Sequence, residues 1–303
     1  MKRKIFQSSI IAAVLFSMGF AAYALDAPQR SNHIGSCCAY VFAEQSNGIF
    51  IQTEPTARDL LLMDQLAYYS LYKSEVKKGL AVRDHAEYAM GRLKYDSEKY
   101  YLMQEILENP KYTSWTIDIS TNQNRTNGLR AIAVGTGGGH GIVAYAGTEG
   151  WVDEGANLTD MIDNVNMTKA QPTKQQIAAL SFLEDASRMY SAIYVSGHSK
   201  GGNNAIFAAL MVDREIADAI CSIVTYNSPG FNHELIQGFS NLDLLNDRIT
   251  QYCTQDDIVN MMLESANIGE KVYVKSTETN IGKTHSLYSF VFDGDNVVPA
   301  NID

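Results

Sequence analysis

Between residues 58 and 72 apolar side chains recur at helical spacing, at Leu60, Leu61, Leu62, Leu66 and Tyr69. This pattern predicts an amphipathic helix. A second helical pattern spans 85–107 through Tyr88, Leu93, Tyr100, Leu102 and Ile106. The two predict an N-terminal helical region over 57–108, a cap or flank placed ahead of the first sheet signal, with its tyrosines read as packing groups. Beyond it, short β-branched runs alternate with helical ones. Strands are expected at 112–119, 129–134, 142–146, 193–195, 220–226, 249–253, 272–274 and 287–292. Thr173, after Pro172, reads as the N-cap of a helix carrying Ile177, Leu180 and Leu183. Residues 203–212 read as a buried helix. Such alternation predicts an α/β fold, a mostly parallel sheet flanked by helices and joined by crossovers. The glycine-rich piece 135–141 lies between two strands and opens no helix, so it reads as a hairpin turn and not as a phosphate loop. Residues 25–56 carry no clear pattern, and there are no repeats or low-complexity tracts.

The chain start changes the picture of its destination. Met1-Lys2-Arg3-Lys4 is basic, Ile10 to Phe20 is apolar, and Ala22-Tyr23-Ala24 fits a small-x-small cleavage pattern. Residues 1–24 are therefore expected to be a signal peptide. Residues 25–303 are expected to form a single, exported, soluble domain, periplasmic or secreted. The formal net charge of the 303-residue chain is −10, which argues against nucleic acid and against electrostatic docking on anionic membranes. Neutral or zwitterionic lipids, and transient contact with a surface made of them, stay compatible with it. Four cysteines, Cys37, Cys38, Cys221 and Cys253, lack zinc-site spacing. Cys221 opens one predicted strand and Cys253 closes the next, too far apart for a disulfide in a parallel sheet. Bridges from Cys37 or Cys38 stay open.

Chemistry concentrates after the run Ile193-Tyr194-Val195. There Ser196-Gly197-His198-Ser199-Lys200-Gly201-Gly202 places G-x-S-x-G between a strand and a helix, the context of a nucleophile elbow. Small residues around Ser199 let the backbone turn sharply and project its hydroxyl. A serine hydroxyl needs a base, and the base needs an orienting acid; in this chain order they follow as acid, then histidine. Only His233 and His285 follow Ser199. His285 is favoured because an acid must precede it, and His233 reads as a solvent-facing loop residue. His140 belongs to the hairpin, His33 and His85 to the N-terminal region. His198 is pinned beside Ser199 and poorly placed to reach its hydroxyl. Asp256 and Asp257 follow a strand, and one is expected to meet the histidine while the other caps the turn or faces solvent. Asp213, Asp218, Asp243 and Asp247 read as surface charge. The oxyanion needs two preplaced N–H donors. The Lys200 N–H is one, and Thr148, in Ala146-Gly147-Thr148-Glu149-Gly150, is the candidate for the other. Residues 151–167 mix apolar side chains with acids and asparagines, the pattern of a flap over the site or of a surface helix.

Gly197-His198-Ser199-Lys200-Gly201-Gly202 resembles the G-H-S-K-G-G elbow of a bacterial class 3 lipase-like group of α/β-hydrolases. Tyr145-Ala146-Gly147-Thr148 resembles that group's oxyanion strand, and Asn227-Ser228-Pro229-Gly230 the end of its next strand. Asp257-Ile258-Val259 resembles its D-x-V acid site, and His285-Ser286 its histidine site. The likeness covers roughly residues 58–292. It implies an α/β-hydrolase fold, Asp257 as the acid of a Ser199-Asp257-His285 triad, and an oxyanion hole from Thr148 and Lys200. Ala146 stands where an arginine is usual, and Asn157 where a tryptophan often precedes the lid-region aspartate, here Asp160. These departures bear on interfacial activation and triglyceride preference. The implied activity is hydrolysis of lipid-type carboxylic esters through an acyl-enzyme, with a lipid or ester substrate and no metal or organic cofactor. The rival readings are a phospholipase or toxin-like effector acting on membranes and a non-catalytic hydrolase-fold binding protein. Acyl length, lipid class and oligomeric state are not legible.

Overall fold

A computed structural model describes residues 42–45, 48–51, 54–71, 79–123, 126–148, 170–263 and 267–300, all of them within one compact unit, Gly35–Asp303. The expected signal peptide, Cys37, Cys38, the expected flap at 151–167 and its Asn157 and Asp160 lie outside the described residues.

A hairpin of β1 (Phe42–Gln45) and β2 (Gly48–Ile51) precedes the main body. The main sheet has eight strands: β3 (Leu80–Ala81), β4 (Thr116–Asn122), β5 (Arg130–Gly137), β6 (His140–Tyr145), β7 (Ala192–His198), β8 (Ile220–Tyr226), β9 (Ile249–Thr254) and β10 (Glu270–Val274). Their spatial order is β10-β9-β8-β7-β6-β5-β4-β3. From β6 to β10 every neighbour is parallel, while β3 to β6 form an antiparallel meander. The sheet is thus mostly parallel, with the 135–141 turn closing the β5–β6 hairpin as expected. A small hairpin of β11 (Phe292–Asp293) and β12 (Asn296–Val297) lies near the end of the chain.

Among the described residues five main helices accompany the sheet: α1 (Ala57–Ala67), α2 (Val82–Met90), α3 (Glu98–Glu108), α4 (Lys174–Ser187) and α5 (Lys200–Met211). Alternation along the central strands divides their side chains between two cores. Ile132, Val134, Ile142, Ala144 and Tyr194 face α1 and its neighbours. Ala131, Ala133, Val143, Tyr145, Ile193 and Val195 face α4 and α5. α4 begins as its sequence indicates: Thr173 Oγ1 accepts from the Gln176 N–H at 3.1 Å, and Gln176 Oε1 accepts from the Thr173 N–H at 2.8 Å, a reciprocal capping box.

Four expectations need correction. α1 is not amphipathic: apart from Arg58 all its residues are buried, because it lies between the sheet and α3. The 85–107 region is two helices. The chain breaks after Gly91, Asp96 takes a left-handed φ of 65°, and Ser97 Oγ caps α3 by accepting from the Tyr100 N–H at 3.3 Å. The 112–119 strand starts later, at Thr116, because Pro110–Thr113 forms a 3-10 turn. That turn points the Tyr112 hydroxyl at Asp59 Oδ1, 2.7 Å away. The 287–292 strand is a 3-10 turn at Leu287–Ser289 followed by short β11. Here the Ser289 hydroxyl donates to the carbonyls of Thr284 and Ser286 and folds the chain back on itself. Cys221 and Cys253 are free and buried, and burial pushes the Cys253 thiol up to about 12.

One polar contact joins α1 to β7 inside the first core. The Ser196 hydroxyl donates to Asp64 Oδ2 at 2.7 Å. Asp64 is fully buried, and desolvation raises its pKa well above 3.8. The folded chain therefore holds a proton that the unfolded chain releases. The carboxyl's contribution to stability is full below about pH 3.8 and is lost as pH rises toward the folded-state value. Asp64→Asn removes this titration while keeping an acceptor for Ser196. Its urea midpoint, relative to the parent, is expected to rise as pH increases above about 3.8; curves that stay parallel would show that the carboxyl does not titrate in this way.

Candidate active site

The parallel strands end on one side of the sheet, and the turns there carry the candidate residues. β7 runs into α5 through Ser199, whose φ of 57° and ψ of −133° are strained for a residue with a side chain. Two close approaches hold this bend. The Ser199 N–H donates to the Tyr226 carbonyl at 2.9 Å. A Cβ on Gly201 would stand 2.1 Å from the Tyr145 carbonyl oxygen, so α5 rests directly on the end of β6. Ser199 is half-buried, and Lys200 opens the 12-residue α5.

The turn after β6 abuts the same bend. A Cβ on Gly147 would lie 2.8 Å from both the His198 carbonyl oxygen and Ser199 Cβ. Thr148, the next residue, is half-buried. Thr148 and Lys200 thus lie on turns that meet at Ser199.

Asp257 and His285 are in direct contact. His285, almost fully buried, follows a short helix, Ile281–Thr284. Its Nδ1 lies 3.0 Å from Asp257 Oδ1. The Asp257 carboxylate also accepts from the N–H groups of Val259 and Asn260, each at 3.2 Å. Of the adjacent pair, Asp257 is buried against the histidine. Asp256 is exposed, with a φ of 64°. Among the described residues no hydrogen bond joins the Ser199 hydroxyl to the His285 Nε2. The ring of His198, next to Ser199, lies 4.8 Å from the ring of His285, centroid to centroid. His233 is exposed on a short helix, His233–Ile236. His140 is buried against Tyr194 on β6.

Several supporting residues escaped the sequence reading. Asn227, at the end of β8, is fully buried with a φ of 48°. Its Nδ2 donates to the carbonyls of Thr284 and His285 at 3.1 and 3.3 Å, and its Oδ1 accepts from the Thr254 N–H at 2.8 Å. The Thr254 hydroxyl donates to the Thr284 carbonyl at 2.8 Å. Asn227 lies in the Asn-Ser-Pro-Gly motif, so its position was signalled and its role was not. A buried arginine lies on the strand beside β6. Arg130, buried on β5, donates to the Gly147 carbonyl at 3.3 Å and to the Tyr68 carbonyl at 3.0 Å. Tyr68, expected only to pack, places its hydroxyl 2.7 Å from His198 Nδ1.

A family model, described as Mbeg1-like, matches residues 105–301, more than half of the chain and the span from Arg130 to His285. The chain belongs to the Mbeg1-like family. Solved structures similar to it include M37 lipase, at 18% identity and TM-score 0.39 over 68% of this chain and 70% of that one. Lip2 lipase from Yarrowia lipolytica matches at 10% identity and TM-score 0.44 over 77% and 81%. A triacylglycerol lipase from Penicillium expansum matches at 13% identity and TM-score 0.41 over 81% and 91%. No curated protein matches. In this Mbeg1-like chain the α/β-hydrolase fold is carried by the sheet order and by the elbow between β7 and α5.

The bend itself is testable without any substrate. Gly201→Ala forces a methyl group into the Tyr145 carbonyl and is expected to destabilise the fold by about 1–3 kcal/mol. Chemical denaturation checks this, and a midpoint equal to the parent's would mean the elbow has room to spare.

Proposed function

We propose that this protein is a serine hydrolase that cleaves carboxylic esters of lipids, exported by residues 1–24 and acting through Ser199, Asp257 and His285. The observation that carries the reading is the buried 3.0 Å contact between His285 Nδ1 and Asp257 Oδ1, at the sheet end where Ser199 occupies a strained bend. A carboxylate on Nδ1 leaves Nε2 as the proton acceptor, the tautomer a general base requires. Ser199 attacks the acyl carbon and gives its proton to His285. The oxyanion is met by the Lys200 N–H and by Thr148. His285 returns the proton to the leaving alcohol, and water, deprotonated in turn, releases the acid from the acyl-enzyme. Asp257, itself held by the N–H groups of Val259 and Asn260, orients the imidazole. The lipid class of substrate rests on the resemblance of the elbow, acid and histidine motifs to class 3 lipases and on membership of the Mbeg1-like family.

Ser199→Ala is expected to lower ester turnover by about a thousandfold or more while leaving the melting temperature close to the parent's. A fluorophosphonate probe should label the parent at Ser199 and not the variant. Undiminished turnover in the variant refutes the assignment, and an unlabelled parent points to a hydrolase-like binding protein. A panel of triglycerides, short esters and phospholipids separates a lipase or esterase from a phospholipase.

A further inference from the structure

His198 precedes the candidate nucleophile and is buried, yet both of its ring nitrogens are engaged. Nε2 lies 2.7 Å from the His285 carbonyl oxygen. A carbonyl only accepts, so Nε2 carries the hydrogen. Desolvation, reinforced by the nearby His285, holds His198 well below its ordinary pKa, and the ring is neutral. Nδ1 then presents a lone pair, and the Tyr68 hydroxyl, 2.7 Å away, donates to it. Tyr68 is itself held. The Arg130 guanidinium stacks over its ring at 5.3 Å and binds its carbonyl, while a second N–H of the same guanidinium binds the carbonyl of Gly147.

We propose that Tyr68 and His198 are positioning residues for His285. The Tyr68 hydroxyl satisfies Nδ1 and fixes the ring orientation that aims Nε2–H at the His285 carbonyl, and Arg130 ties the same tyrosine to the turn that carries Thr148. The inference rests on the hydrolase reading of the site. Without the Tyr68 donor, the buried Nδ1 lone pair is left unsatisfied, and the ring is no longer held with its Nε2–H aimed at the carbonyl. That bond weakens, and the His285 loop moves away from the elbow. A ring that merely filled space would show no dependence on the Tyr68 hydroxyl.

The test compares Tyr68→Phe, His198→Gln, His198→Asn and the double variant Tyr68→Phe/His198→Gln in the full chain. Tyr68→Phe keeps the ring under Arg130 and is expected to lower kcat on a soluble ester roughly ten- to a hundredfold, with KM changed by less than about twofold. His198→Gln keeps an N–H near the position of Nε2 without the ring nitrogen that Tyr68 serves, and should retain more activity than His198→Asn. In the His198→Gln background, adding Tyr68→Phe should cost almost nothing further, a non-additivity that independent packing effects would not produce. The low-field proton resonance of the His285 Nδ1–H gives a readout independent of turnover. It should be sharp in the parent and broadened or lost in Tyr68→Phe. Parent-like kcat, labelling rate and resonance in Tyr68→Phe overturn the proposal, as does full additivity in the double variant. Should the parent neither turn over esters nor react with the probe, the hydrolase reading falls. The resonance comparison then decides the positioning role alone, its loss in Tyr68→Phe supporting that role and its persistence refuting it. If Tyr68→Phe does not fold, His198→Gln against His198→Asn carries the decision, with equal activity and equal resonances in the two counting against the proposal.

Discussion

A single carbonyl group, that of His285, fastens the working end of the sheet. It accepts from His198 on β7 and from Asn227 after β8, while the adjacent Thr284 carbonyl accepts from Asn227 and from Thr254 on β9. Three parallel strand ends thereby share one loop. The donors are an imidazole, an amide and a hydroxyl, and all are buried. In a region of low dielectric such bonds are strong, and leaving any one partner unsatisfied costs about 1–3 kcal/mol. These neutral donors hold the loop backbone, beside the contact of the His285 ring with Asp257.

Strain is distributed over the same end of the sheet. Ser199 and Asn227 sit at the ends of neighbouring strands, both with side chains and both with positive φ. Each N–H reaches across to the next strand, Ser199 to the Tyr226 carbonyl and Asn227 to the Tyr252 carbonyl. Residues in such conformations persist only where the surroundings over-determine them. The close approach of Gly201 to Tyr145 and the amide bonds of Asn227 supply that constraint. Rigidity at the bend and rigidity at the histidine loop have one source.

The central strands and α4 were legible because they depend on local pattern. β8 and the Thr173 cap match their expected positions, and the elbow was visible from spacing alone. The misread parts depend on distant partners. α1 shows a helical period, but its polar positions meet Ser196, Tyr112 and Lys111 inside the fold instead of solvent. The 287–292 run has strand composition, yet Ser289 turns it by bonding the carbonyls of Thr284 and Ser286. In the candidate site, the choice of Asp257 over Asp256 came from resemblance, since adjacent aspartates differ only in where the backbone points them. The contacts of Tyr68 with His198 and of Arg130 with Tyr68 cross 130 and 62 residues of chain, and no local period encodes them. The linear pattern around Arg130 likewise gives no sign that its guanidinium reaches the Gly147 turn.

Cys221 and Cys253 lie on adjacent strands inside the sheet and share no bond. With its thiol held at about 12, Cys253 yields almost no thiolate at neutral pH. Oxidants and exchanging disulfides act on thiolates, so Cys253 is chemically silent while the fold is intact. Within the folded sheet this thiol adds no redox sensitivity to β9.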